Sequence, residues 1–260
     1  MGGIILTRLI TAERRNKIAE LIIANGSIKV GELAKTFDVS TETIRKDLIY
    51  LDKKGIIKKS HGGALSSLEI IEKPLEDRNT ENYEVKLAIA NKAQEFIKDN
   101  AVIFIDAGST TLCLAKLLSV KKGLTIITNS VSALNVLANS QNTIHMSGGQ
   151  LNNTTMALEG FGATNFLSKI KVDIAFLGSS GFKEHNGPTS IDFSDAEVKR
   201  IMIRNSKQNF VLADSKKTRS TAMVEYASWK SIDHLIIDDK ISVKDEQLLS
   251  NEVSIVKVSL

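Results

Sequence analysis

The chain carries one cysteine, Cys113, among 260 residues. It can form no intramolecular disulfide, and four scattered histidines leave it without the Cys/His cluster that a structural zinc site needs. No apolar run is long enough to span a bilayer, and the amino terminus does not read as a signal peptide, so a cytoplasmic location is expected. Proline is confined to Pro74 and Pro188, and low-complexity tracts are missing. Neither P-loop spacing nor a GxGxxG after the first strand of the larger half appears, which removes the usual nucleotide fingerprints. No metal, cofactor or catalytic set is expected. The composition that remains is that of a globular protein, long enough for one large domain or two smaller ones.

The charge is unevenly placed. Residues 40–61 hold Arg45, Lys46, Lys53, Lys54, Lys58 and Lys59 against Glu42, Asp47 and Asp52, a net +3 that makes up most of the chain's +4. A charge run is usually a solvated face, so the pattern around it must decide. Thr11 can cap a helix over 11–25 with Ile18, Leu21 and Ile22 at helical spacing, stopped by Asn25-Gly26. Ser27–Val30 reads as extended and Gly31–Phe37 as a second helix. Ser40 is a good N-cap for a third helix over Thr41–Lys54, with Ile44, Leu48 and Leu51 as its buried stripe. Ile56–Ser60 and Ala64-Leu65 then read as two short strands around His61-Gly62-Gly63. The sum is a winged helix-turn-helix. A major groove admits one helix, whose first turn meets base edges. That turn offers Ser40, Thr41, Glu42, Thr43, Arg45 and Lys46, while Lys58, Lys59 and His61 on the wing suit phosphates.

A polar connector over 67–82, containing Pro74, separates this head from the rest. The spacing predicts a helix over Tyr83–Lys98. Apolar strands then alternate with helices: strands at 101–105, 124–128, 143–146, 173–177, 210–213, 235–237 and 253–258, with helices ending near Leu118 and Ala138 and others near 162–169 and 194–205. This predicts an open, mainly parallel α/β sheet. The carboxyl ends of five strands carry DAGSTT, TNS, SGG, GSSG and DSKK, and ligands of such sheets bind outside those ends. Gly108-Ser109-Thr110-Thr111 opens a helix whose amides can cradle an anion. Lys216 can add a charged bond and Asp106 can accept from hydroxyl groups. Simpler roles compete: Asn129-Ser130 as a helix cap, Gly148-Gly149 as a turn, Gly178 for close packing.

The run GSIKVGELAKTFDVSTETIRKDLIYLDKKGIIKKSHGGA resembles the amino-terminal signature of the DeoR family of bacterial transcription regulators. Lys46 stands where the family usually has a second Arg, and Ser60 interrupts its basic wing. IFIDAGSTTLCLAK, LTIITNS, SGGQL, VDIAFLGSSGF, DAEVKRIMI and VLADSKK are similar to the family's sensor domain, in that order. The resemblance implies a DNA-binding head over 11–66, with its helix-turn-helix at about 28–47, and an effector-sensing domain over 83–260 with a fold like ribose-5-phosphate isomerase. It implies an effector that is a phosphorylated sugar or polyol, contacted by Asp106, Gly108, Ser109, Thr110, Thr111, Asn129, Gly148, Gly149, Lys199 and Lys216. Glu84 and Lys86 match a family pair and read as an exposed salt bridge.

Two functions are weighed. One is a regulator that binds double-stranded operator DNA as a homodimer or homotetramer, repressing a sugar or polyol catabolic operon until the effector releases it. The other is an isomerase-like enzyme with an accessory DNA-binding domain, using Asp106, Glu84, Glu197 and Lys216 for acid–base chemistry. No carboxylate and lysine stand at a spacing that demands chemistry, and an enzyme needs no reading head, so a non-enzyme is expected.

Overall fold

The computed structural model describes residues 11–25, 27–53, 57–60, 63–66 and 74–260. The chain forms two compact units divided between Ile71 and Glu72.

The first unit contains α1 (Thr11–Asn25), β1 (Ser27–Lys29), α2 (Val30–Thr36), α3 (Thr41–Lys53), β2 (Ile57–Ser60) and β3 (Gly63–Ser66). The three strands form one antiparallel sheet in the order β1-β3-β2. Its core holds the expected Ile18, Ile22, Ile44, Leu48 and Leu51 together with Leu33 and Ile57, all at most 1% exposed, whereas Leu21 is only partly buried. Thr11, expected as a cap, is itself helical.

In the second unit come α4 (Leu75–Thr80), α5 (Tyr83–Gln94), β4 (Val102–Ile105), α6 (Ser109–Leu118), β5 (Lys122–Thr128), α7 (Val131–Leu137), β6 (Gln141–Met146), β7 (Gln150–Asn152), β8 (Ala157–Glu159), α8 (Gly160–Leu167), β9 (Val172–Gly178), β10 (Thr189–Ser190), α9 (Phe193–Arg204), β11 (Ser206–Leu212), β12 (Val224–Glu225), β13 (His234–Asp238), α10 (Val243–Ser250) and β14 (Ser254–Val258). Seven strands make one parallel sheet, ordered β14-β13-β11-β9-β4-β5-β6. Both faces are covered, which is why its central strands read as continuous apolar runs. α5, α6 and α7 pack on one face through Ile89, Leu114 and Ala133 against Ile103, Ile105 and Phe176. α8 and α9 pack on the other through Ala163, Val198 and Met202 against Phe104, Ala175 and Leu177. Strand order reverses at β4: the chain first runs outward through β5 and β6, then returns to β9 and runs the other way. The crevice beside β4 and β9 is therefore the topological switch point, where open parallel sheets bind ligands.

Several elements depart from the sequence reading. Residues 67–73 of the expected connector lie outside the described residues, but 75–80 form α4, with Leu75 buried. One apolar residue in six gives no readable period. α5 stops at Gln94, where Phe96 and Ile97 tighten into bonds three residues back. The hairpin β7–β8 and helix α10 are additions; α10 is capped by Ser242, whose hydroxyl accepts from Asp245 N, and Ser242-x-x-Asp245 was its missed signal.

Candidate DNA-reading and effector sites

In the head, α3 starts as its cap residue dictates. Ser40 Oγ accepts from Thr43 N at 3.1 Å and lies 2.9 Å from Thr43 Oγ1, so both residues serve the helix end as well as any ligand. Thr41, Glu42, Arg45 and Lys46 are exposed on the first turns. Arg45 Nη1 lies 3.7 Å from Glu42 Oε2, and both side chains are more than half exposed. Such a pair is weak and yields readily to a stronger partner. Lys58 and Lys59 lie on β2, paired with Leu65 and Ala64. His61 and Lys54 lie outside the described residues.

Asp47 is the residue that sequence reasoning missed. It counts among the acids of the basic run, yet it is 1% exposed. Its two carboxylate oxygens accept from Arg14 Nε at 2.7 Å and Arg15 Nε at 2.8 Å, binding α3 to α1. Arg15 also lies over the Tyr50 ring, 4.0 Å from its centroid. The signal was positional: Asp47 sits three residues after Ile44 and four before Leu51, on the inward stripe.

In the second unit, Asp106 follows β4 at 1% exposure. Its Oδ2 accepts from Lys199 Nζ at 2.5 Å and Gly178 N at 2.9 Å. Lys199, on α9, also meets Asp195 Oδ1 at 3.1 Å, and Ser190 Oγ donates to Asp195 Oδ2. Burial opposes the lysine's charge, but Asp106 and Asp195 outweigh it and hold the ammonium above the usual lysine range. Tyr226 lies 5.7 Å from the same ammonium and donates to Gly178 O at 2.8 Å. Burial, then Asp106 and Asp195, push that phenol up and keep it neutral.

The α6 amino terminus stands beside this pair. Gly108 precedes the helix in extended conformation and no side chain caps it. Ser130 caps α7, Asp192 caps α9 and Ser242 caps α10, whereas α4, α5 and α8 share the bare start; α6 differs from these three in standing at the switch point. Ser109 and Thr110 are each 8% exposed. Thr111 is fully buried and its hydroxyl is engaged by the carbonyls of Asp106 at 2.7 Å and Gly108 at 3.0 Å, so only its backbone is left for an anion.

The open alternatives at the other strand ends separate. Ser130 is the cap after β5, while Asn129 is not: its Nδ2 donates to Leu158 O at 3.4 Å and its Oδ1 has no partner among the described residues. Gly149, at φ +112°, is a close approach: a Cβ there would lie 2.4 Å from Glu159 O. Glu159 is 7% exposed, accepts from Asn152 Nδ2 at 3.3 Å, and has its carboxyl pushed up to about 7 by burial, then by Asp192 and Asp195.

Two lysines fall differently from expectation. Lys216 is exposed and donates to Asn82 Oδ1 at 2.8 Å, whereas half-buried Lys217 approaches Ser180 O at 3.4 Å, in the loop after β9. Ser215–Thr218 is a 3₁₀ turn, which rotates successive side chains by a third of a circle. Lys86 makes no exposed salt bridge with Glu84. It is 5% exposed, donates to Arg78 O, and is driven below the usual lysine range by burial, against the pull of Asp214. The carboxylates weighed for isomerase chemistry are not gathered either. Glu84 is exposed on α5, Glu197 pairs with Arg200 and Arg204 at 3.4 and 3.3 Å, and Asp106 is held by Lys199. The 185–189 loop is tied to its own hairpin, through Asn186 N to Glu225 Oε2 at 2.9 Å and Tyr226 N to Pro188 O at 3.1 Å.

A cleft of about 290 Å³ lies at the opposite, amino-terminal edge of the sheet, lined in part by Lys171, Asp173, Arg204 and Lys207. Its cations are engaged: Lys171 with Asn205 Oδ1, Lys207 with Asp173 and Arg204 with Glu197.

Comparison with known proteins agrees with this division. The family model for the DeoR-like helix-turn-helix domain matches residues 14–69, and that for the DeoR C terminal sensor domain matches 81–239. The HTH-type transcriptional regulator GolR of Listeria innocua is 36% identical over 233 residues, covering 88% of this chain and 91% of that protein. The glycerol-3-phosphate regulon repressor of Escherichia coli is 31% identical over 240 residues, covering 92% and 95%. The HTH-type transcriptional regulator IolR of Bacillus subtilis is 30% identical over 225 residues, covering 86% and 89%. Likeness to solved structures is slighter: the sorbitol operon regulator SorC of Klebsiella pneumoniae has a TM-score of 0.41 at 10% identity, covering 91% of this chain and 98% of that one. Ribose 5-phosphate isomerase A of Methanocaldococcus jannaschii has 0.40 at 21%, covering 53% and 55%. Likeness at that level is too slight to bear on function. With a winged reading head followed by a parallel α/β unit, and both family models matched in that order, the chain belongs to the DeoR family of DNA-binding transcriptional regulators.

Proposed function

We propose that this regulator represses a sugar or polyol catabolic operon and is released by a phosphorylated intermediate of that pathway. The observation that carries the effector reading is the uncapped start of α6 at the switch point, beside the buried Asp106–Lys199 pair. An uncapped helix start with polar first-turn residues favours an anion, and the neighbouring acceptors favour hydroxyl groups. Gly108, Ser109, Thr110 and the backbone of Thr111 would hold the phosphate. Asp106, Asn129, Gly148, Gly149 and Lys199 would surround the rest. Lys217, which approaches Ser180 O in the loop after β9, joins Lys216 as a candidate cation of the loop after β11. Thr41, Glu42, Thr43, Arg45 and Lys46 would meet base edges, and Lys58 and Lys59 the phosphates of double-stranded operator DNA. The relatives named above include a glycerol-3-phosphate regulon repressor, in keeping with this reading. The protein acts in the cytoplasm, as a homodimer or homotetramer that pairs two half-sites, and without catalysis, a reading supported by Asp106 and Glu197 being tied to cations and Glu84 lying exposed on α5.

The test is a thermal-shift screen of the full chain against phosphorylated sugars and polyols with their unphosphorylated parents, followed by operator-binding titrations with each hit. A ligand bound by the native state raises the melting temperature. The expected result is a shift with phosphorylated compounds alone and weakened DNA binding in their presence. No shift with any of them would sink the effector reading.

A further inference from the structure

Asp106 and Asn129 occupy equivalent places on neighbouring strands. Ile105 of β4 pairs with Thr128 of β5, so Asp106 and Asn129 are the next residues of each, side by side at the carboxyl edge. Adjacent strands lie about 4.8 Å apart. The two side chains are 1% and 0% exposed. Each has one satisfied end: Asp106 Oδ2 takes Lys199 Nζ and Gly178 N, and Asn129 Nδ2 gives to Leu158 O. Each has one acceptor, Oδ1, with no partner among the described residues. Both side chains turn to the same face of the sheet, since Lys199 stands on α9 and Leu158 on β8, which packs against α9.

A buried acceptor without a donor is costly, and proteins rarely keep one, still less two in neighbouring positions. We infer that the effector is recognised through two adjacent hydroxyl groups, one donating to Asp106 Oδ1 and the other to Asn129 Oδ1. This rests on the effector reading above and narrows it: the ligand is a phosphomonoester of a polyol or sugar that bears a vicinal diol away from the ester. Carbonyl and phosphate oxygens offer no proton to these atoms, and an anion here would face the Asp106 carboxylate, so the charged end belongs at α6 and the hydroxylated end here. Neighbouring hydroxyl groups suit acceptors on adjacent strands, because each can reach about 2.8 Å to its own acceptor.

The experiment is calorimetric titration of the full chain with glycerol 3-phosphate, ribose 5-phosphate and fructose 1-phosphate, beside 3-hydroxypropyl phosphate, 2-deoxyribose 5-phosphate and inorganic phosphate. Each titration is repeated on Asn129→Ala, which removes one acceptor together with the bond to Leu158 O, at a temperature where the unliganded variant is shown to be folded. The expected result is that a diol ester binds, that its deoxy counterpart binds on the order of tenfold more weakly, and that Asn129→Ala weakens the diol ester by a similar factor but leaves the deoxy compound unchanged. Such non-additivity separates a ligand contact from a merely structural residue. Equal binding of diol and deoxy esters would overturn the diol and leave the phosphorylated effector standing. Binding by none of the esters would overturn both.

Discussion

Lys199 Nζ lies 2.5 Å from Asp106 Oδ2, joining the middle of α9 to the end of β4 with both side chains almost wholly out of solvent. Removing one partner of such a pair leaves a buried charge, which costs about 3–5 kcal/mol. Lys199→Met is therefore expected to destabilise the second unit by that amount in urea denaturation, and to abolish effector response. A variant as stable as the parent would mean that Asp106 gives up its charge when the lysine is lost.

Asp47→Ala frees Arg14 and Arg15 together. Both arginines keep some exposure, so water recovers part of the loss and about 2–3 kcal/mol is expected. The sharper expectation concerns function: DNA binding falls although Asp47 itself is buried, because α3 loses its hold on α1. Unchanged operator affinity would show that packing of Ile44, Leu48 and Leu51 alone orients the helix.

Arg45→Ala should leave the head folded, since the side chain is exposed and, among the described residues, pairs with Glu42 alone. Operator affinity should drop by about 1–3 kcal/mol if Arg45 reads a base edge. If it touches phosphate, the loss should be similar on all sequences, with a shallower salt dependence. Affinity equal to the parent on every sequence would remove Arg45 from the interface.

Glu159 sets a pH dependence. Its carboxyl, ordinarily near 4.5, is raised to about 7 in the folded chain. The folded state then binds the proton more tightly than the unfolded state, so its contribution to stability is complete below about pH 4.5 and is lost as pH rises through about 7. Glu159→Gln should remove this decline, changing the stability difference between the two proteins by on the order of 3 kcal/mol across that window. Parallel curves for parent and variant would show an unperturbed carboxyl.

Much of this molecule was legible from periodicity. The stripe Ile44, Leu48, Leu51 and the alternation of apolar strands with helices placed α3 and six strands of the parallel sheet within a residue or two, because burial on one stripe or on both faces leaves a pattern in the chain itself; β11 begins four residues before the expected 210, where the polar residues 206–209 carry no such pattern. Small polar clusters at strand ends were legible too, and the structure places those of β4 and β9 at the switch point. Partnership was not legible. Lys199 and Asp106 are 93 positions apart and Asp47 meets arginines more than thirty residues away, so no local spacing reveals them. Lys86 read as surface because its charge suggested water, whereas α4 folds over it and supplies the Arg78 carbonyl. The bond from Lys216 to Asn82 was not legible either, since it depends on a 3₁₀ turn that sequence alone does not announce.

The bare start of α6 has a genetic consequence. Gly108 sits at φ −169°, a conformation open to every residue, and a Cβ there would meet only the Thr111 hydroxyl at 3.1 Å and Gly178 Cα at 4.0 Å. The backbone conformation itself thus does not require glycine, and a small side chain there asks only that the Thr111 hydroxyl give by a few tenths of an ångström. An aspartate at 108 would cap its own helix and lay a permanent carboxylate where the effector's anion is proposed to bind. Selection for cells deaf to the inducer should return substitutions at this glycine more often than in the reading head, for such alleles would still fold and still find their operator.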